Sequence, residues 1–173
     1  MLDTIEALCA EVHNYHETDR IIGDFTIENG NISLPFLVSG QFFRIVGSKF
    51  NDGVYIYSDE YIIRDATWED VLRDNRDWSA LTEEEWGSLK HIELVDETFH
   101  GGIWPMNMPR AFMSLAKEVE EYNSSDASKP SPYASENISG HYSYTKASPS
   151  DNAWQNVFRN KLNRWRKAAN VWL

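Results

Sequence analysis

Three residues near the start of the chain have the types and spacing that suit metal binding or nucleophilic catalysis. Cys9, His13 and His16 lie at positions i, i+4 and i+7 of a helix predicted over residues 3–16, so they would share one face. A thiolate and two imidazoles on one face are zinc ligands, and a Cys/His pair is a nucleophile with its base. The same face also carries aliphatic residues, which favours a core cysteine flanked by two boundary histidines. We therefore expect no metal, no cofactor and no catalytic residue, and keep a small metal-dependent enzyme as the alternative.

Other residues that catalytic sites use do not form a recognisable motif. The acidic clusters at 83–85 and 118–121 lie on predicted helices, where they are best interpreted as solvated faces. The run Gly47-Ser48-Lys49 lacks the upstream glycine of a phosphate-binding loop. A single cysteine excludes an intrachain disulfide and is typical of a reducing compartment. These observations predict a protein that is not an enzyme.

The periodicity of apolar residues predicts the elements of the first 122 residues. A helix over 3–16 is followed by alternating runs between 24 and 63, with an Asn29-Gly30 turn, which predict a small antiparallel sheet. Residues 91–99 alternate again and either return to the sheet or form a turn. Short helices are predicted over 68–74 and 83–89, and a longer one from Pro109 to residue 122.

The rest of the chain divides into an arm and a helix. Residues 123–151 are rich in Ser and Pro and predict an extended arm, in which Tyr142 and Tyr144 alternate like a strand that gains a partner. Residues 152–173 predict one amphipathic helix. The fold class expected is α+β, with a helical bundle core in residues 1–122, a β insertion at about 24–63, the arm and the final helix. No apolar run approaches the ~20 residues needed to span a bilayer, so no membrane partner is expected.

The charge of the chain is distributed unevenly. The chain has 16 basic and 27 acidic residues, a net charge of −11, but residues 152–173 carry five cations and no acid, which leaves 11 basic against 27 acidic residues, or −16, elsewhere. Such an acidic body disfavours duplex nucleic acid as a partner. A basic helix with tryptophans suits docking, because Trp and Arg are enriched at interface hot spots. A surface helix whose cations complement its own dipole is the simpler alternative.

Three segments resemble the head–tail adaptor (connector) proteins of tailed bacteriophages. They are residues 108–116 (MPRAFMSLA), 135–145 (SENISGHYSYT) and 158–167 (FRNKLNRWRK). The likeness covers roughly residues 105–170. In that family a Ser/Gly/Tyr arm links the helical bundle to a final helix.

The resemblance implies a structural virion protein of the phage neck, made in the bacterial cytoplasm. It implies a ring of this chain with itself, typically of twelve subunits, that binds the portal protein on one side and a downstream neck or tail protein on the other. DNA would be only passing cargo. The portal-binding candidates are Arg164, Trp165, Arg166, Lys167, Trp172 and Leu173, and the intersubunit candidates are Tyr133, Tyr142 and Tyr144. A completion protein or tail terminator is the nearest alternative.

Overall fold

The computed structural model describes residues 1–58, 62–65, 90–128, 135–138, 142–145 and 152–167. Four α-helices lie in these ranges: α1 (Leu2–Glu11), α2 (Arg110–Ser124), α3 (Trp154–Val157) and α4 (Arg159–Asn163). A 3₁₀ turn, Asp126–Ser128, follows α2. The strands are β1 (Ile21–Ile27), β2 (Phe42–Val46), β3 (Gly53–Tyr57), β4 (Ile62–Asp65), β5 (Lys90–Ile92), β6 (Glu97–Met106), β7 (Ser135–Ile138) and β8 (Tyr142–Thr145).

A six-stranded antiparallel sheet is the centre of the fold. Its strand order is β1-β6-β2-β3-β4-β5, so the long strand β6 lies between β1 and β2 although it is the last of these six strands in the chain. Among the residues that the structure describes, the strands β7 and β8 pair only with each other, as a separate antiparallel sheet of two strands. The expected helical bundle core is therefore wrong: the core is a sheet, and few helices accompany it.

Both faces of the sheet are buried at its centre, so the sheet itself provides the core. One face packs against α1, α2 and the segment 152–167, around buried residues such as Ile56, Met106 and Phe112. The opposite face is covered by the loops that carry Leu34 and Leu94. Side chains alternate between the faces along each strand, and for this reason every residue of β3 is buried.

The sheet also extends beyond the predicted insertion at 24–63, because β5 and β6 pair with strands from the earlier part of the chain. The Asn29-Gly30 turn is confirmed: both residues have positive φ, and Glu28 and Asn31 exchange backbone hydrogen bonds. The residues after this turn continue as a loop, however, and β1 takes β6 as its partner. The helices predicted over 68–74 and 83–89 lie outside the described residues.

Two helices differ in length from the predictions. α1 ends at Glu11 instead of residue 16, and His13 and His16 both have positive φ, which no α-helix accommodates. The predicted single helix after residue 152 is two short helices that meet at Phe158. The helix at Pro109 is confirmed, since α2 starts at the next residue. In the described ranges no helix is both long and apolar enough to cross a membrane.

Candidate functional site

The segment 152–167 packs on the body of its own chain. Leu162 is fully buried, and Trp154, Phe158 and Trp165 are partly buried against the helical face of the sheet. The Trp165 ring makes an edge contact with Phe112 at 5.4 Å between centroids, and Asn14 donates a hydrogen bond to the Trp165 carbonyl. The apolar stripe predicted for this segment therefore faces the chain's own core.

The cations of this segment pair with acids of the same chain. Arg166 donates to the Glu11 carbonyl at 2.9 Å and pairs with its carboxylate. Lys167 binds Glu17 at 2.7 Å, and its backbone N–H donates to the Val12 carbonyl. Arg164 differs, because its side chain is exposed and its guanidinium lies over the Trp165 ring at 4.8 Å.

The structure thus brings Arg164, Trp165, Arg166 and Lys167 together, but three of them face inward or toward the body's own acids. Trp172, Leu173 and Tyr133 lie outside the described residues. Tyr142 and Tyr144 lie on β8, whose backbone is described.

The arrangement that would make Cys9, His13 and His16 a metal or nucleophile site is not formed. Cys9 lies on the fully buried face of α1, whereas His13 is exposed beyond the end of that helix. Burial and the nearby charge of Lys167 lower the pKa of His16, whose ring packs edge-on between Phe112 and Trp165. Within the described part of the chain, no three His, Cys, Asp or Glu side chains converge in a way that could hold a metal ion.

We expect Cys9 to be unreactive in the native protein. Its side chain has no exposed surface, and burial raises the pKa of its thiol, so the thiolate that reacts with disulfide reagents is scarce. Reaction with Ellman's reagent at pH 8 should be slower in the native state than in urea by a factor on the order of 1,000, because exposure requires the fold to open. With Cys9→Ser as the blank, a native rate within tenfold of the unfolded rate would restore the nucleophile interpretation.

A second cluster, which the sequence did not predict, combines two arginines with two aromatic rings. The register of β2 and β6 places Arg44 opposite Trp104. The Arg44 guanidinium lies 4.0 Å from the Tyr15 ring centroid and 5.3 Å from that of Trp104, and Arg20 lies 4.4 Å from Trp104. These side chains and Glu17 line a cavity of about 320 Å³, which we call the Arg–aromatic cavity.

Glu17 is the anionic centre of this cavity wall. Its side chain is only 8% exposed and accepts hydrogen bonds from Arg20 at 2.6 Å and Lys167 at 2.7 Å. Burial alone would raise the pKa of Glu17, but the bonds from Lys167 and Arg20 outweigh it and lower that pKa to about 2. Glu17 is therefore ionised throughout the physiological range and joins the segment 152–167 to the start of β1.

One weak signal in the sequence marks this cavity. Arg44 is the only charged residue in the buried apolar strand β2, and a charge at such a position needs a specific partner. Tyr15, Arg20 and Trp104 do not follow from any local pattern, because the strand pairing and the loop after α1 bring them together.

The outer edge of β1 is the other feature relevant to binding. β1 is the last strand on its side of the sheet, and none of the described residues pairs with its outer edge. Its alternate residues are exposed, and Ile22 has 71% of its surface accessible. Arg20 directly precedes β1, so the Arg–aromatic cavity lies at one end of this edge. An unpaired strand of seven residues is a template for another strand.

Comparisons with known proteins identify no relative. No family model matches the chain, no curated protein is significantly similar to it, and no solved structure significantly matches its fold.

Proposed function

We propose that this protein is a structural subunit of a tailed-phage neck, a head–tail adaptor that forms a ring between the portal and the tail proteins. The observation that carries the proposal is the unpaired edge of β1 together with the separate β7–β8 hairpin. One molecule then has both an acceptor edge and a strand pair to donate. The resemblance of residues 105–170 to adaptors supplies the biological context.

A donor and an acceptor on different parts of one chain favour a ring. When the hairpin of each subunit pairs with β1 of the next, the contact is heterologous, and repetition through a suitable angle closes a ring. Tyr133, Tyr142 and Tyr144 belong to or flank the donated hairpin and are the proposed intersubunit residues. Backbone hydrogen bonds would supply much of this contact, and tyrosines add contact area at little entropic cost.

The charge of the body suits a channel for DNA. With −16 outside residues 152–173, an acidic inner surface repels phosphates and does not hold DNA as it passes. DNA is then a passing cargo and not a bound partner.

For the portal contact, the structure favours Arg164 within the predicted set. Its side chain is exposed, and no ion pair with another described residue holds it, whereas Arg166 and Lys167 are bound to Glu11 and Glu17. We propose that Arg164 acts with Trp172 and Leu173 in this contact. Trp165 would instead stabilise the segment 152–167 by packing on the core of its own chain.

We expect the protein to form closed rings when it is mixed with the portal protein of the same phage, as observed by cryo-electron microscopy. Ile22→Lys should reduce the fraction of portals that carry a ring by about tenfold, because a lysine on an edge strand disfavours strand addition. Ile22 is 71% exposed, so this change costs the isolated fold little stability.

Val38→Lys is the matched control, because it introduces the same charge at a 68% exposed aliphatic residue in a loop. Equal ring formation by both variants would exclude the β1 edge as the interface. Failure of the unaltered chain to bind the portal, combined with binding to a tail tube protein, would favour a completion protein or tail terminator.

A further inference from the structure

We infer that the Arg–aromatic cavity is a docking site for the chain's own residues 168–173, and that the Trp172 side chain occupies it in the free subunit. These residues follow directly on the segment 152–167 and lie outside the described ranges. The inference needs no second molecule, so it does not depend on the proposed ring. It gives the cavity an occupant of defined chemistry, a neutral apolar segment with one indole.

The residue that precedes this segment, Lys167, is fixed at the rim of the cavity. Its backbone N–H donates to the Val12 carbonyl at 3.1 Å, and His13, the residue after Val12, lines the cavity. Its ammonium binds Glu17, another lining residue, at 2.7 Å. Trp172 is five residues further along the chain, a stretch that spans up to about 17 Å when extended. The indole is therefore tethered within reach of the cavity.

The cations at the cavity already have acidic partners, which favours a neutral occupant. Arg20 binds Glu17, and Arg44 binds Asp52. Glu6 adds a further negative charge near the lining residues. A charged ligand would lose its hydration here without gaining a partner of its own, and this costs free energy. The proposed occupant has the sequence AANVWL and carries no charged side chain, so it avoids this cost.

The walls of the cavity suit an indole ring. Guanidinium groups and aromatic rings meet there: Arg44 lies 4.0 Å from the Tyr15 ring centroid, and Arg20 lies 4.4 Å from that of Trp104. Tryptophan is the aromatic side chain that cations bind best, so Trp172 would extend this arrangement. A volume of about 320 Å³ is at the lower end of the range for ligand pockets, which suits one large side chain.

The cavity wall also contains a buried acceptor for the indole N–H. The Glu17 side chain is only 8% exposed, and its Oε2 has no hydrogen-bond partner among the described residues. Tryptophan combines a large apolar ring with one N–H donor and no acceptor, so it can fill the space and bond this oxygen. Oε2 is covered in this structure, and a small shift of a neighbouring side chain gives the indole access.

The short tether makes even a weak contact effective. It gives residues 168–173 an effective concentration on the order of 1 mM at the cavity, so an intrinsic Kd of about 0.2 mM keeps Trp172 docked in roughly five of six molecules. In the proposed adaptor, the portal would then take Trp172 from this site and not from water. Docking would restrain the apolar end until the portal is present, and only this consequence rests on the proposed function.

Fluorine NMR of the full-length chain labelled with 5-fluorotryptophan tests the docking. Each of the seven signals is assigned with a tryptophan-to-phenylalanine variant, and line broadening by a soluble nitroxide measures exposure. The Trp172 signal should broaden about fivefold less in the native chain than in urea. Ala10→Phe fills the cavity from its rim and should remove most of this protection. Ala7→Phe is the matched control, at an exposed alanine of the same helix outside the cavity lining, and should leave the protection intact.

A second variant tests the contact without altering the cavity wall. Trp172→Ala should shift the Trp104 signal, because it removes the ring that we place against that wall. The signal of Trp154, which packs on the core at the other end of the segment 152–167, should not move and serves as the internal control.

The outcomes are decisive without the portal. Equal broadening of the Trp172 signal in the native and the unfolded chain would overturn the inference, and so would protection that persists in Ala10→Phe or a Trp104 signal that Trp172→Ala leaves unchanged. None of these results bears on the adaptor proposal. Conversely, failure of the chain to bind the portal would defeat that proposal and leave the docking of Trp172 as measured.

Discussion

Replacing Gly101 with alanine is expected to destabilise the protein by more than about 3 kcal/mol. A Cβ at this position would lie 2.2 Å from the Val46 carbonyl oxygen and about 3 Å from the Phe99 ring. Backbone oxygen cannot move aside as the end of a flexible side chain does, so β6 and β2 would have to separate. The free energy of unfolding from urea titrations followed by circular dichroism measures the effect.

The chain offers a matched control one strand away. Gly23 on β1 is the pairing partner of Gly101, and a Cβ at Gly23 would have no atom within 4 Å. Neither glycine has positive φ, so the two substitutions differ in space and not in backbone strain. Gly23→Ala should change stability by less than about 1 kcal/mol. A slight gain is favoured, because alanine lowers the conformational entropy of the unfolded chain. A Gly101→Ala variant as stable as Gly23→Ala would contradict the close approach of β2 and β6.

Local patterns in the sequence predicted the helix and the turn that are determined by residues close together in the chain. The helix after Pro109 follows from a 3.6-residue stripe and a proline suited to a helix start. The Asn29-Gly30 turn follows from two residues that tolerate positive φ. In both cases the residues that decide the structure are neighbours in the chain.

The extent of the helices and the nature of the core depend on distant residues. The stripe of α1 continues in sequence to Tyr15, but the chain turns after Glu11, and Tyr15 instead contacts Arg44 of β2. The amphipathic stripes that suggested a helical bundle are covered by a sheet, because an apolar face only requires an apolar partner and does not specify which. The pairing of β1 with β6 joins residues that are 70 to 82 positions apart, and local periodicity contains no information about such a pair.

The candidate site likewise has one part that local patterns identified and one part that depends on the pairing of distant residues. Apolar periodicity did identify the stripe of the segment 152–167, but it could not distinguish a stripe that packs on the chain's own core from one that awaits a partner. The Arg–aromatic cavity required the register of β2 and β6, which places Arg44 beside Trp104. Cavities of this kind are assembled by strand order, and they emerge only when the fold is known.

Glu17→Gln is expected to lower the free energy of unfolding at pH 7 by about 3 kcal/mol. The pKa of Glu17 is lowered from 4.5 to about 2 in the folded protein, and each unit corresponds to about 1.4 kcal/mol. Because the folded pKa is the lower one, this stability is fully present above pH 4.5 and is lost as the pH falls toward 2. Urea titrations at pH 7 and pH 3 should therefore show the difference between the variant and the unaltered chain shrinking to about half.

The matched control for Glu17 is Glu11, which pairs with the neighbouring cation Arg166 but has 29% of its side chain exposed. Exposed ion pairs contribute about 0–1 kcal/mol, so Glu11→Gln should be nearly neutral. A stability difference for Glu17→Gln that stays constant from pH 7 to pH 3 would show that packing, and not the charge shared by Arg20 and Lys167, is what Glu17 contributes. A difference that shrinks with acid would establish that this carboxylate joins the segment 152–167 to the start of β1, the region where we place the contact between subunits.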